Sequence, residues 1–150
     1  MDCAHFLTLQ HEVESGTRER PSGAMGELAR LLMAKGLEHE QECLAAYEID
    51  PGDVYSVPPW DRTAETFAAF VERSAGVLAF GHKVVFQMPF VHDGMRGIAD
   101  FLLRVDLPDD KFTYEPVDAK LARKEAKPGH VLQLCFYAEA IEAQLGVGPE

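Results

Sequence analysis

The spacing of hydrophobic positions changes twice along the chain. From Cys3 to about Glu14, Phe6, Leu7 and Leu9 have helix-compatible spacing, and the polar stretch ESGTRERPSG that follows reads as a loop. From Met25 to Glu48, Leu28, Leu31, Leu32, Leu37, Cys43, Leu44 and Tyr47 recur near the helical period, which predicts the longest helix, with Gly36 as a weak point or a break. Pro51-Gly52 predicts a turn, Val54 to Val57 a short strand and Pro58-Pro59 a stop; TAETFAAFVERSAG then predicts an amphipathic helix ending near Gly76. The period next falls to two. His82 to Phe90, Met95 to Asp106 and Lys111 to Leu121 predict three strands, joined by turn chemistry at His92-Asp93-Gly94 and Pro108-Asp109-Asp110, and hence an antiparallel meander. Pro128-Gly129 punctuates the exit. His130 to about Leu145 predicts a last helix with an apolar face of Val131, Leu134, Cys135, Ala138 and Ile141. There is no internal repeat and no low-complexity tract.

Two of the predicted strands carry a carboxylate where the pattern calls for burial: Asp100 in GIADFLLRV and Asp118 in YEPVDAKLA. Removing an ionised carboxylate from water costs several kcal/mol unless a cation, a metal or hydrogen bonds compensate it, so two of them on neighbouring strands imply a shared partner. Alternation puts Asp118 and Lys120 on one face of their strand, whereas Glu115 falls on the other and reads as structural. A carboxylate and an ammonium beside a second carboxylate make a plausible site for a hard divalent cation and a water held next to it.

At 150 residues the chain suits one domain, 1–150, large enough to bury a core without disulfides or metal staples. No apolar run approaches the length needed to span a bilayer, and the N-terminus lacks the basic and apolar regions of a secretory signal, so no membrane partner is expected. Cys3, Cys43 and Cys135 form neither a CxxC pair nor an even framework, which favours free thiols and a cytoplasmic location. A net charge of −11 argues against a broad basic surface. Positive charge concentrates only between Lys120 and Lys127, including Arg123 and Lys124; a solvated loop is the plain alternative for that run.

On the last predicted helix Gln133 and Tyr137 are four apart and share a face, with His130 one turn earlier on nearly the same stripe. They can serve a site or a nucleic-acid backbone, or be the polar flank of an amphipathic helix. His39 lies among Glu38, Glu40 and Glu42 and reads as a surface histidine unless other ligands converge on it.

In order, His39, Gly97-x-x-Asp100, Asp118-x-Lys120 and Gln133-x-x-x-Tyr137, on helix, strand, strand and helix, resemble the RecB-like branch of the PD-(D/E)XK nuclease superfamily. RGIADFLLRVD, YEPVDAKLARK and KPGHVLQLCFYAEAIEA look especially like a bacterial nuclease domain found alone or fused to helicase and RNase H-like regions. The resemblance covers about Gly36 to Glu150. It implies an α/β fold of α+β character with a restriction-endonuclease-like core, a central mostly antiparallel sheet flanked by helices. His39, Asp100 and Asp118 would bind Mg²⁺ or Mn²⁺, with Asp100, Asp118 and Lys120 as the catalytic set. Gln133 and Tyr137, with Arg123, Lys124 and His130, would support the site or touch DNA. No iron–sulfur cluster is expected, because the C-terminal cysteine trio of cluster-bearing relatives is missing. The family core continues into another strand where this chain reads GVGPE, so a core without its last strand is expected, as in a fragment or an excised domain.

The expected activity is metal-dependent hydrolysis of DNA phosphodiesters, on single-stranded ends or flaps in preference to intact duplex, in DNA repair or recombination. A helicase or RNase H-like region is the expected partner domain in a longer protein. Two alternatives stand beside it: a catalytically inactive nuclease-like module that docks DNA or a helicase, and an interaction domain with no nucleic-acid partner.

Overall fold

The computed structural model describes residues 4–19, 23, 26–119 and 128–149. Two compact units divide between Lys35 and Gly36. The first holds helix α1 (Ala4–Glu14) and the start of α2 (Glu27–Ile49). At the end of α1, Arg18 Nε donates to Glu12 Oε2 at 2.7 Å and the Ser15 and Thr17 hydroxyls donate to the Glu12 carbonyl.

The second unit contains the rest of α2, then β1 (Val54–Ser56), α3 (Phe67–Arg73), a 3₁₀ turn (Leu78–Phe80), β2 (Val84–His92), β3 (Met95–Asp106), β4 (Phe112–Val117) and α4 (Pro128–Leu145). These four strands form one open mixed sheet in the order β1-β2-β3-β4. β1 runs parallel to β2, while β2–β3 and β3–β4 are antiparallel. The meander is therefore as predicted, and the parallel edge is an addition. It arises because α3 lies between β1 and β2 and supplies the crossover that parallel strands require. Both hairpin turns place consecutive residues at positive φ, Asp93 and Gly94 in one and Asp109 and Asp110 in the other, as tight reversals between twisted strands favour.

Apolar side chains cover both faces of the sheet. On one, Cys43, Leu44 and Tyr47 of α2 pack against Val84, Phe86 and Phe101. On the other, Phe67 and Phe70 of α3 and Phe136, Tyr137 and Ile141 of α4 pack with Val85, Met88, Phe90 and Leu102. The fold is thus α+β, with a mixed sheet flanked by helices. Among the described residues no helix is long and apolar enough to cross a membrane.

Three predicted boundaries move for local reasons. α3 starts at Phe67 and not near Thr63, because Asp61 Oδ1 accepts from Thr63 N and Ala64 N in a separate turn and Thr66 is the true cap, accepting from Ala69 N at 3.2 Å. β4 ends at Val117, so Asp118 lies just past the strand. The buried face of α4 is Phe136, Tyr137, Ala140 and Ile141; Val131, expected inside, is 50% exposed, and Cys135 is exposed as well. Pro128 and Gly129 belong to that helix and do not merely precede it, Pro being well suited to a first turn whose N–H groups have no intrahelical partner.

Candidate active site

The register of the sheet brings the two strand carboxylates together. β3 and β4 pair from Asp106↔Phe112 to Phe101↔Val117, so the next rung sets Asp118 opposite Asp100, and the ladder ends there. On its other side, β3 pairs with β2 at Phe86↔Phe101 and again at Met88↔Ala99 but skips the rung of Gln87 and Asp100. Asp100 therefore sits mid-strand with neither neighbouring ladder closed across it. Its carboxylate accepts a hydrogen bond from the Ala119 backbone N–H at 3.1 Å instead.

Like charges directly opposite on adjacent strands repel, so the neighbour favours the uncharged form of Asp100. Burial is the main force pushing the Asp100 pKa up to about 7 from an ordinary 3.8; the hydrogen bond and charge of Asp118 add to it, and the charge of Glu40 adds a little more. The Ala119 N–H acts in the opposite direction. Near neutral pH Asp100 stands on the edge of losing its proton.

Gly97 and Tyr137 explain each other. The Tyr137 hydroxyl donates to the Ile98 carbonyl at 2.7 Å and accepts from Gln133 Nε2 at 3.0 Å, fixing the strand two residues before Asp100. A Cβ at position 97 would stand 2.8 Å from that hydroxyl oxygen, so the ring reaches the strand only because the residue below it is glycine. Tyr137 is buried, and burial raises its pKa, with Asp100 and Asp118 adding to the rise against the Gln133 hydrogen bond. Gln133 and Tyr137 thus act on the strand that carries Asp100. His130, in the first turn of the same helix, is half-buried.

On α2 the structure separates two adjacent residues. His39 keeps to its own helix, with Nε2 3.8 Å from Cys43 Sγ and Nδ1 3.9 Å from a Glu42 carboxylate oxygen. Glu40, four residues before Leu44 and seven before Tyr47, belongs to the stripe that covers the sheet. Its carboxylate accepts from the side-chain amide of Gln87, the residue across from Asp100. Sequence reasoning passed over both: Gln87 is a polar interruption of an apolar strand, the same signal that singled out Asp100, whereas Glu40 stands in an acidic run. Lys120, Arg123 and Lys124 lie outside the described residues.

Among the described residues no three His, Cys, Asp or Glu converge as a metal-binding group. The Asp100–Asp118 pair is nonetheless the kind of donor set that fits a hard divalent cation. It offers carboxylate oxygens, and burial beside Asp118 disfavours the charge of Asp100, a penalty that a bound cation would relieve. Compared with protein-family models, curated proteins and solved structures, the chain matches none.

Proposed function

We propose that this chain is a metal-dependent nuclease that hydrolyses phosphodiester bonds in DNA, preferring single-stranded ends or flaps. One observation carries the reading: two carboxylates face each other at a single rung of the sheet, with Asp100 held by the Ala119 N–H where burial disfavours its charge. Asp100 and Asp118 would hold Mg²⁺ or Mn²⁺. A bound cation would supply an activated water and electrostatic stabilisation of the charge that develops on the phosphate.

The remaining work belongs to the chain itself. Asp100 gives up its proton as the site charges, and Ala119 N–H keeps its carboxylate aimed at Asp118. Tyr137, braced by Gln133, holds the Asp100 strand in place through the Ile98 carbonyl. Lys120, two residues after Asp118, supplies a point charge suited to a phosphate oxygen. Arg123 and Lys124 would meet the DNA backbone, offsetting a chain that is otherwise strongly acidic.

Cleavage of labelled single-stranded and duplex oligonucleotides in Mg²⁺, Mn²⁺ or EDTA tests the reading. Metal-dependent cleavage, absent in EDTA and lost in Asp118→Asn, is the expected result. Salt-sensitive DNA binding that persists in EDTA without cleavage at any metal concentration would identify a binding module, and no DNA binding at low salt would remove DNA from the picture.

A further inference from the structure

Phe80 sits on the 3₁₀ turn between α3 and β2 and is 81% exposed, whereas Phe67, Phe70, Phe90 and Phe101 are buried in the core. A single apolar side chain in water needs no explanation. What sets Phe80 apart is the row of rings it ends. Its centroid is 6.3 Å from that of His82, which is itself stacked on Tyr55 at 5.1 Å with 20° between the planes. These separations are those of interacting aromatic pairs.

The row is held in place by the strands beside it. The Tyr114 hydroxyl donates to the His82 carbonyl at 2.8 Å, and Arg104 Nη1 donates to the Gly81 carbonyl at 2.7 Å. A Cβ at position 81 would stand 2.9 Å from that nitrogen, so Arg104 comes this close because the residue between Phe80 and His82 is glycine. The guanidinium also lies 4.3 Å from the centroid of the Phe112 ring. Phe80 is thus an exposed ring on a braced support.

Charge beside it favours an anion. Lys83 is exposed, and its ammonium makes no ion pair among the described residues. Asp53 and Asp106 are engaged already, the first with His82 and the Lys83 backbone N–H, the second with Arg104 Nε. An occupant that lays a flat ring on Phe80 and a negative charge near Lys83 is a nucleotide of single-stranded DNA. In a duplex the faces of the bases are covered by their neighbours, whereas an unpaired strand can offer each of them to an aromatic side chain.

We propose that Phe80, backed by His82 and Tyr55, is a stacking platform for an unpaired base of single-stranded DNA, with Lys83 meeting a phosphate of the same strand. This inference deepens the nuclease reading above and rests on it for the choice of DNA. About 16 Å of extended strand separates His82 from Gln87, the residue across from Asp100. The platform therefore holds the DNA strand away from the rung where it is cut.

Fluorescence anisotropy of a labelled thymidine oligonucleotide in EDTA measures binding apart from cleavage. Phe80→Ala should weaken binding about tenfold, the scale of one lost base stack, with the melting temperature unchanged because the side chain is exposed. Phe80→Trp should bind at least as tightly as the parent. Phe80→Leu should bind as weakly as Phe80→Ala, since leucine keeps apolar area and offers no ring. An abasic oligonucleotide should bind the parent and Phe80→Ala alike. Lys83→Ala should flatten the salt dependence by about 0.7 of a unit of slope, and Phe80→Ala should leave it unchanged.

Parent-like binding by Phe80→Ala or by Phe80→Leu would overturn the platform and leave the nuclease reading standing. Binding that depends on the Phe80 ring, in a parent that cleaves nothing in Mg²⁺ or Mn²⁺, would support the platform and overturn the nuclease reading. No binding of the oligonucleotide by the parent at low salt would overturn both. Self-association of the parent that Phe80→Ala abolishes, with DNA affinity unchanged, would overturn the platform and assign the ring to an interface between copies.

Discussion

Asp53 and Asp100 are both aspartates beside strands of one sheet, and the fold treats them in opposite ways. Asp53 lies just before β1, exposed, where its carboxylate takes His82 Nδ1 at 2.9 Å and the Lys83 backbone N–H at 3.2 Å. The His82 and Lys83 hydrogen bonds hold its pKa below the usual carboxylate value. Asp100 lies mid-strand against a second carboxylate, and burial with that neighbour drives its pKa up to about 7. The first carboxylate ties β1 to β2 through contacts that favour its charge. The second is held where its charge is unwelcome, which serves the fold poorly and a cation well.

The widest separation between the two should appear on substitution. Asp118→Asn and Asp100→Asn should lower cleavage by at least about a hundredfold, because each removes a ligand charge while keeping the side-chain shape. Both should raise the melting temperature of the metal-free protein, since each ends the repulsion across the rung. Asp53→Asn should do the reverse, lowering the melting temperature and sparing cleavage. Comparable losses of activity in Asp53→Asn and Asp118→Asn would erase the distinction.

The pH dependences should differ in sign. A carboxylate with a raised folded pKa binds more protons folded than unfolded between its ordinary value and about 7, so its contribution to stability is present at low pH and declines as pH rises through that window. Asp53, with a lowered pKa, contributes above the ordinary range and loses that contribution as pH falls. Melting curves against the parent from pH 2 to pH 8 should diverge in opposite directions, for Asp53→Asn below about pH 4 and for Asp100→Asn between about pH 4 and pH 7. Mn²⁺ affinity should climb until about pH 7 and then level, as the Asp100 proton ceases to compete.

A smaller effect probes the brace under Asp100. Gly97→Ala should destabilise by roughly 1–3 kcal/mol, because the new methyl meets the Tyr137 hydroxyl and the helix must move. Tyr137→Phe leaves the Ile98 carbonyl without its donor and should cost about 1–2 kcal/mol. Chemical denaturation checks both, and a neutral Gly97→Ala would show that the close approach is dispensable. The smallest effect is electrostatic: charge reversal at Arg123 and Lys124 should flatten the salt dependence of DNA binding by about one unit of slope per lost phosphate contact. An unchanged slope would assign that run to a solvated loop.

Much of this was legible in the chain. Period-two alternation and the turn residues gave the three meander strands with β3 at its observed bounds, and the cost of burying a carboxylate pointed to Asp100 and Asp118 before any geometry was known. What escaped depends on contacts between elements. The inward face of α4 is set by Phe136 and Tyr137 meeting Gly97, and helical spacing within α4 alone favoured a different stripe. Glu40 was hidden in the acidic run around His39, where it could be told from its neighbours only by its alignment with Leu44 and Tyr47. Gln87 looked like one polar residue in a strand, since a left-handed backbone has no signature when the residue is not glycine or asparagine.

Mn²⁺ titration calorimetry at pH 8 on the parent, Asp118→Asn and Asp53→Asn bears most directly on the claim that the Asp100–Asp118 rung is a cation site. Saturable binding to the parent and to Asp53→Asn, lost in Asp118→Asn, is the expected result. No binding to the parent, or equal affinity in Asp118→Asn, would contradict it.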